Sequence, residues 1–308
     1  MSSYLITGAA GMLGRDLQAA LSGRDVTALT RTDLDITDYD AVVEAIAGHD
    51  VIINASAYTA VDDAETHEDL ATAVNGTGAG NLARAATEIG AILVQYSTDY
   101  VFRGDATTPY PEDAPIDPVS AYGRSKALGE KLVAEFNADR SYIVRTAWLY
   151  GQHGPNFAST MLRLAGERDT LTVVGDQVGQ PTWTVDLARA TVLLLDAAAP
   201  FGIYHGTNSG QGSWFDFAQA IFAEAGLDPE RVTPTTSAEF VRPAPRPSYS
   251  VLGHDNWIAA GLPAMRDWKE ALAEAFSSGA LKSVGSSGGS VASGNAPSPA
   301  PSSHSGTS

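Results

Sequence analysis

Short apolar runs alternate with helix-spaced patterns through the first half of the chain. Tyr4 to Thr7, Val26 to Leu29, Val51 to Asn54, Ile92 to Ser97 and Tyr142 to Thr146 read as strands, and helical periodicity fills the intervals between them. Such alternation implies right-handed crossovers and a parallel sheet covered on both faces. The fold class expected is therefore α/β, a Rossmann-type doubly wound sheet, whose ligands lie beyond the carboxyl ends of the strands. After about Gly151 the pattern loosens: helices are expected near Phe157 to Glu167, Val185 to Ala198, Phe215 to Ala225 and Trp268 to Phe276, with a strand near Leu171 to Val174. The expected organisation is a dinucleotide-binding domain over 1–150, a smaller substrate lobe over 151–276 interleaved with it, and a disordered tail over 277–308 built of Ser, Gly, Ala and Pro. Such a tail holds too little apolar surface to offset the entropy of ordering it.

Gly8-Ala9-Ala10-Gly11-Met12-Leu13-Gly14 follows the first strand and opens a helix. Its glycines permit a tight turn, bring a pyrophosphate close to the amides at the helix start, and let helix pack on strand. Strand two runs out at Arg31, about where NAD-preferring proteins carry an acid for the ribose hydroxyls. A guanidinium there suits a 2′-phosphate, which favours NADPH; Asp33 and Asp35 stand close enough to keep NADH open.

Tyr122-Gly123-Arg124-Ser125-Lys126 heads a helical pattern, so Tyr122 and Lys126 share one face. An ammonium beside a phenol favours the phenolate and is expected to lower the tyrosine pKa towards neutrality. Ser97-Thr98-Asp99-Tyr100 ends strand four and brings a hydroxyl to the same crevice. Glycine turn, hydroxyl and Tyr-Lys pair together resemble the extended short-chain dehydrogenase/reductase superfamily. The resemblance makes Thr98, Tyr122 and Lys126 a catalytic triad and Asn75 a structural asparagine.

Further segments narrow the resemblance. Leu34 to Asp38, Asn54 to Asp62, Ser97 to Phe102, Pro109-Tyr110 with Glu112, Arg145 to Gly151, Gly179 to Thr182 and Arg246-Pro247-Ser248 together resemble the dTDP-4-dehydrorhamnose reductases over roughly residues 3 to 276. Arg103 departs from that family's usual acidic residue, and the tail has no counterpart in it. The resemblance implies NADPH-dependent reduction of the 4-keto group of dTDP-6-deoxy-L-lyxo-4-hexulose to dTDP-L-rhamnose. It implies cofactor contacts from Gly8, Gly11, Met12, Leu13 and Gly14 at the pyrophosphate, Arg31, Asp35 and Ile36 around the adenosine, and Ala55, Ala57, Tyr58, Thr59 and Tyr96 further along, with Tyr122 and Lys126. Val61, Thr98, Asp99, Tyr100, Tyr122 and Trp148 would meet the sugar, and Asn156-Phe157 and Gln180-Pro181-Thr182 are second-lobe candidates. Magnesium, associated with some members, stays open.

Related activities fit less well. A sugar-nucleotide 4,6-dehydratase carries an Asp-Glu pair after the threonine, whereas Asp99-Tyr100 follows here, and the Val61-Asp62 and Gly179 to Thr182 segments look like the reductases rather than a 4-epimerase. Another ketosugar reductase, or the non-catalytic regulatory subunit of methionine adenosyltransferase, are the alternatives; retention of Thr98, Tyr122 and Lys126 favours an enzyme.

Composition adds limits. With 19 basic and 36 acidic residues the net charge is −17, against nucleic acid or an anionic membrane surface as a partner. The imbalance reflects scarce lysine, at positions 126, 131, 269 and 282 only. There is no cysteine, and the six histidines show no metal-ligand spacing. Neither a signal-type start nor an apolar run long enough to span a bilayer is found, so the expected setting is cytoplasmic, with a dTDP-sugar as the partner and a monomer or homodimer as the assembly.

Overall fold

The structure, a computed structural model, describes residues 2–282. Five parallel strands, β1 (Ser3–Thr7), β2 (Asp25–Leu29), β3 (Val51–Asn54), β4 (Ile92–Thr98) and β5 (Ser141–Thr146), form a sheet in the order β2-β1-β3-β4-β5, and the segment Gly202–His205 adds a sixth strand beside β5. Strand order reverses at β1, which opens a crevice between the carboxyl ends of β1 and β3.

The period-two alternation sorts side chains between two faces. Tyr4, Ile6, Ile53, Val94 and Val144 pack on one side against Leu13 and Leu17 of helix α1 (Met12–Ala20) and Leu187 of the helix Thr184–Asp196. Leu5, Ile52, Leu93 and Ile143 face the other way, onto helices α2 (Tyr39–Ile46), α4 (Ala79–Ile89) and α5 (Ala121–Asn137). Between α2 and α4 the chain forms the short helix α3 (Glu68–Thr72), which runs into a π-helical stretch, Ala73–Gly78. A separate core gathers Tyr150, Met161, Phe217, Phe222, Trp268 and Leu272. No helix among the described residues is long and apolar enough to cross a membrane.

One strand was not foreseen, and one expectation needs correction. The sixth strand comes from beyond position 151, because the helix Thr184–Asp196 covers the α1 face and returns the chain to the sheet edge. Order also extends past position 277: Ser277 completes the helix Trp268–Ser277, and Leu281 is buried in the second core with its amide on the Ala275 carbonyl at 2.9 Å. The rest of the expected tail, 283–308, lies outside the described residues.

A buried ion pair fixes α5 on the sheet. Arg145 donates from Nε and Nη2 to the two carboxylate oxygens of Glu130 at 2.9 and 2.7 Å, and both side chains are at most 3% exposed. Nη1 donates to the Glu112 carbonyl at 3.0 Å, and the Phe102 ring lies 4.9 Å from the guanidinium carbon. Burial and the neighbouring guanidinium push the His205 pKa down to about 3. A neutral His205 can then donate from Nδ1 to the Gly253 carbonyl at 2.9 Å and turn Nε2 towards Arg145. Removing one partner of a buried pair strands the other charge, so Glu130→Gln is predicted to lower the unfolding free energy by about 3–5 kcal/mol. Urea titration checks this, and an unchanged midpoint and slope would count against the pair's structural role.

Candidate active site

The glycine turn is compressed to backbone contact. Gly8 has φ +66°, the left-handed region that a side chain disfavours, and a Cβ there would lie 2.6 Å from the Ala55 carbonyl carbon. A Cβ on Gly14 would lie 2.3 Å from the Gly8 carbonyl oxygen, so Gly14 serves the packing of α1 on β1. Gly11 precedes α1 with no side-chain cap, which leaves the first amides of the helix for an anion.

The adjoining crevice is lined by Gly8, Gly11, Arg31, Asp35, Ile36, Ala55, Ala57 and Tyr58 among the residues expected for a cofactor. Leu34, Ser56, Leu70, Ala73 and Val74 join them without having been foreseen, the last three delivered by α3 and the π-helical stretch that follows it. The Leu13 side chain instead enters the core, leaving only its backbone for a phosphate. Ile36 likewise buries its side chain, against Gly78. Met12 leans towards the second lobe, beside Gly151 and Asn156, and Thr59 is exposed outside the crevice lining.

Around Arg31 the acids are already engaged. Asp33 accepts from the Thr30 hydroxyl at 2.6 Å, and Asp35 from the Thr37 amide and hydroxyl at 2.9 and 2.8 Å, which holds both carboxyls below the ordinary range. Arg31 is exposed on the rim. The residues present fit a dinucleotide that carries an extra phosphate at this end.

Asn75, buried in the π-helical stretch, holds the crevice floor. Its side chain accepts from the Tyr58 amide at 2.8 Å and donates to the Tyr58 carbonyl at 3.0 Å and to the Ser125 hydroxyl at 2.9 Å. Ser125 in turn donates to the Tyr122 carbonyl at 2.7 Å. One amide thus couples the loop after β3 to the first turn of α5, the structural part expected of it.

Thr98, Tyr122 and Lys126 converge at the carboxyl end of β4. Ser120 caps α5 by accepting from the Gly123 amide at 3.1 Å, and a Cβ at Gly123 would lie 2.3 Å from the Tyr100 carbonyl oxygen. That close approach seats the start of α5 on the Thr98 turn. The Thr98 hydroxyl donates to Asp99 Oδ1 at 2.9 Å and accepts from the Tyr100 amide at 3.2 Å. Lys126 is 3% exposed and donates to the Tyr96 carbonyl at 2.6 Å.

The electrostatics differ from the expected lowering of the tyrosine. Burial pushes Tyr122 up to about 12, with the neighbouring Thr98 hydroxyl offsetting part of the rise. Burial also lowers Lys126 to about 8, with Glu130 opposing it. Desolvation dominates at the phenol, with the Asp99 carboxylate adding to the rise, and Tyr122 remains a protonated donor at neutral pH. Asp99 is raised to about 6, chiefly by burial, with the Ser250 and Thr98 hydroxyls pulling the other way.

Tyr100 meets Tyr122 edge to face at 5.7 Å, and the Arg246 guanidinium carbon lies 5.9 Å from the Tyr100 ring centroid. Asp62, next to Val61, pairs with Arg246 at 3.0 Å and with Arg242, and accepts from the Ala244 amide at 3.2 Å. This tie of a late segment to the β3 loop was signalled only by the Arg246-Pro247-Ser248 resemblance. Trp148 is half-buried after β5. Two second-lobe candidates carry local structure: Asn156 caps the helix Phe157–Glu167 in a capping box, and Gln180 is buried and bonded to the backbone of Leu252 and the Thr207 hydroxyl. Among the described residues no cluster of three or more His, Asp or Glu side chains is placed to hold a metal ion, and nothing there supports magnesium.

A doubly wound sheet, a phosphate-ready glycine turn and a Thr, Tyr, Lys convergence beside it define an extended short-chain dehydrogenase/reductase. The RmlD substrate binding domain model matches residues 2–280, and the chain belongs to that family, the dTDP-4-dehydrorhamnose reductases. It is 52% identical over 281 residues to a dTDP-4-dehydrorhamnose reductase of Streptomyces griseus, covering 89% of this chain and 92% of the relative. It is 48% identical over 277 residues to a dTDP-4-keto-6-deoxy-D-glucose reductase of Streptomyces niveus, covering 89% and 96%. The solved dTDP-4-dehydrorhamnose reductase of Bacillus anthracis, in complex with NADP, superposes with a TM-score of 0.87 at 40% identity, covering 90% of this chain and 99% of that one.

Asp99 generates a prediction about stability. Its folded pKa, about 6, lies above the ordinary 3.8, so its contribution is favourable at low pH and is lost as pH rises through about 6. Asp99→Asn, neutral throughout, is predicted to melt above wild type at neutral pH, with the advantage shrinking as pH falls from about 6 towards 3.8. Thermal melts across that range check it; a difference independent of pH would contradict a buried, titrating carboxylate.

Proposed function

We propose that the chain uses NADPH to reduce the 4-keto group of dTDP-4-dehydro-6-deoxy-L-mannose, giving dTDP-L-rhamnose. The observation that carries this reading is the meeting of Thr98, Tyr122 and Lys126 beside the glycine-turn crevice. Gly8, Gly11 and the first amides of α1 hold the cofactor pyrophosphate, Arg31 its 2′-phosphate, and Ala55, Ala57 and Tyr58 its middle. Bound NADPH supplies the hydride that C4 of the sugar receives.

The chain supplies the proton and the geometry. Tyr122, protonated at neutral pH, donates its phenolic proton to the C4 oxygen as negative charge develops there. Lys126 spends one N–H on the Tyr96 carbonyl and keeps its others for the cofactor ribose. Its positive charge, retained below about pH 8, stabilises the phenolate left on Tyr122. Thr98 turns its hydroxyl from Asp99 to the sugar oxygen, and Asp99, whose carboxylate accepts that hydroxyl in the free chain, orients it. Val61, Tyr100 and Trp148 shape the sugar pocket. The setting proposed is the cytoplasm.

The experiment is oxidation of NADPH by the full chain with dTDP-4-dehydro-6-deoxy-L-mannose, alongside dTDP-4-keto-6-deoxy-D-glucose. Turnover on the order of 1 to 10³ s⁻¹ with the first sugar is expected; turnover confined to the second would reassign the substrate. Tyr122→Phe is predicted to lower kcat by at least ~10² while NADPH still binds, and a wild-type rate would remove Tyr122 from proton transfer. Arg31→Ala should raise KM for NADPH more than for NADH, whereas equal effects would place Arg31 away from the 2′-phosphate.

A further inference from the structure

Trp148 adopts φ +46°, a left-handed conformation that a bulky side chain reaches only against a steric cost. Its neighbours over-determine that conformation. The indole stacks on Trp214 with ring centroids 3.6 Å apart and planes 9° from parallel. A Cβ at Gly179 would lie 2.6 Å from Trp148 Cε2 and Cζ2, so the ring edge occupies space that only glycine leaves open. The Thr182 amide donates to the Trp148 carbonyl at 3.2 Å.

Trp214 is itself anchored. It is the first residue of the helix Trp214–Glu224, whose start is fixed by a Ser213–Asp216 capping box, and its ring packs 4.6 Å from Phe157. Gly212 and Ser213 pair antiparallel with Gly179 and Val178, so the pairing that sets Trp214 beside Trp148 also sets the glycine there. Stack, glycine and strained backbone therefore form one assembly, in which Gly179 and Trp214 of the second lobe hold Trp148 after β5.

We propose that Trp214 is a positioning residue for the nucleotide-sugar: by stacking on Trp148 across Gly179 it holds that indole as a fixed wall of the sugar pocket. This rests on the reading above, in which Trp148 lines that pocket. Trp214 does not touch the reacting atoms. Without the stack Trp148 relaxes out of the left-handed region and the wall moves.

The test combines Trp214→Ala, Trp214→Phe and Gly179→Ala in the full chain. Trp214→Ala should lose the far-ultraviolet circular-dichroism couplet that two stacked indoles produce. Its kcat/KM for the ketosugar should fall about 10- to 100-fold, as expected when a positioned group shifts by an ångström, while KM for NADPH stays at its wild-type value. Trp214→Phe, which keeps an aromatic face, should recover most of the lost kcat/KM. Gly179→Ala leaves Trp214 in place but expels the Trp148 edge, so it should reproduce the kinetic defect and weaken the couplet even where Trp214→Ala fails to fold. Wild-type kcat/KM in a folded Trp214→Ala variant that has lost the couplet, or in Gly179→Ala with a weakened couplet, would overturn the proposal. An inert wild-type enzyme would instead sink the substrate reading.

Discussion

The buried pair of Arg145 and Glu130 is the constraint on which the site depends. It joins β5 to α5 beneath the crevice, and α5 carries both Tyr122 and Lys126. Two charges buried together resist displacement, because either one alone would face a desolvation penalty of several kcal/mol, about the size of a domain's whole stability margin. The glycines of α5 supply the other half of the constraint. Gly123 admits the Tyr100 carbonyl and Gly129 the Asn75 carbonyl, where a Cβ would come to 2.3 Å in each case. The ion pair sets how deep the helix lies, and the two glycines set which turn meets which loop.

A net charge of −17 looks hostile to a dinucleotide and a nucleotide-sugar, both anionic. The chain answers locally. Uncapped amides at the start of α1 and the exposed Arg31 serve one end of the crevice. At the other, Arg242 and Arg246 share the single carboxylate of Asp62, a local excess of positive charge beside Tyr100. Field strength at a site depends on the nearest charges and on the exclusion of water far more than on the total, since distant exposed charges are screened within about 10 Å.

The strands were legible because their side chains alternate cleanly between two apolar faces, and β3 and the helix Phe157–Glu167 fall where the periodicity puts them. The strand Gly202–His205 was missed for a physical reason: four residues opening on a glycine carry too little pattern, and only pairing with β5 makes them a strand. Leu281 was lost among small residues because a single buried leucine after a helix has no period to announce it. Asn75 and the grouping of Thr98 with Tyr122 and Lys126 came from the resemblance, whereas the glycine turn and the shared face of that Tyr-Lys pair were readable as spacing. The protonation of that site was not, because desolvation belongs to the packed molecule: the same Tyr-Lys pair that suggests a lowered phenol stands in a place dry enough to raise it. The hydrogen bonds of Asn156 and Gln180 were not legible for a related reason, since a helix start and the neighbouring backbone that take them up exist only in the fold.

The unfavourable features of the fold collect around one space. A left-handed tryptophan, a buried carboxyl near pH 6, a lysine held near pH 8 and a desolvated phenol all border the crevice or the wall beside it. These groups are held by neighbours that are themselves well satisfied: Trp148 by the capped helix under Trp214, Lys126 by the Tyr96 carbonyl, Tyr122 by the Asn75 and Ser125 bonds under its backbone. A site held in this way can exchange a proton without reorganising. The groups that change charge are few and already dry, while the groups that hold them do not titrate.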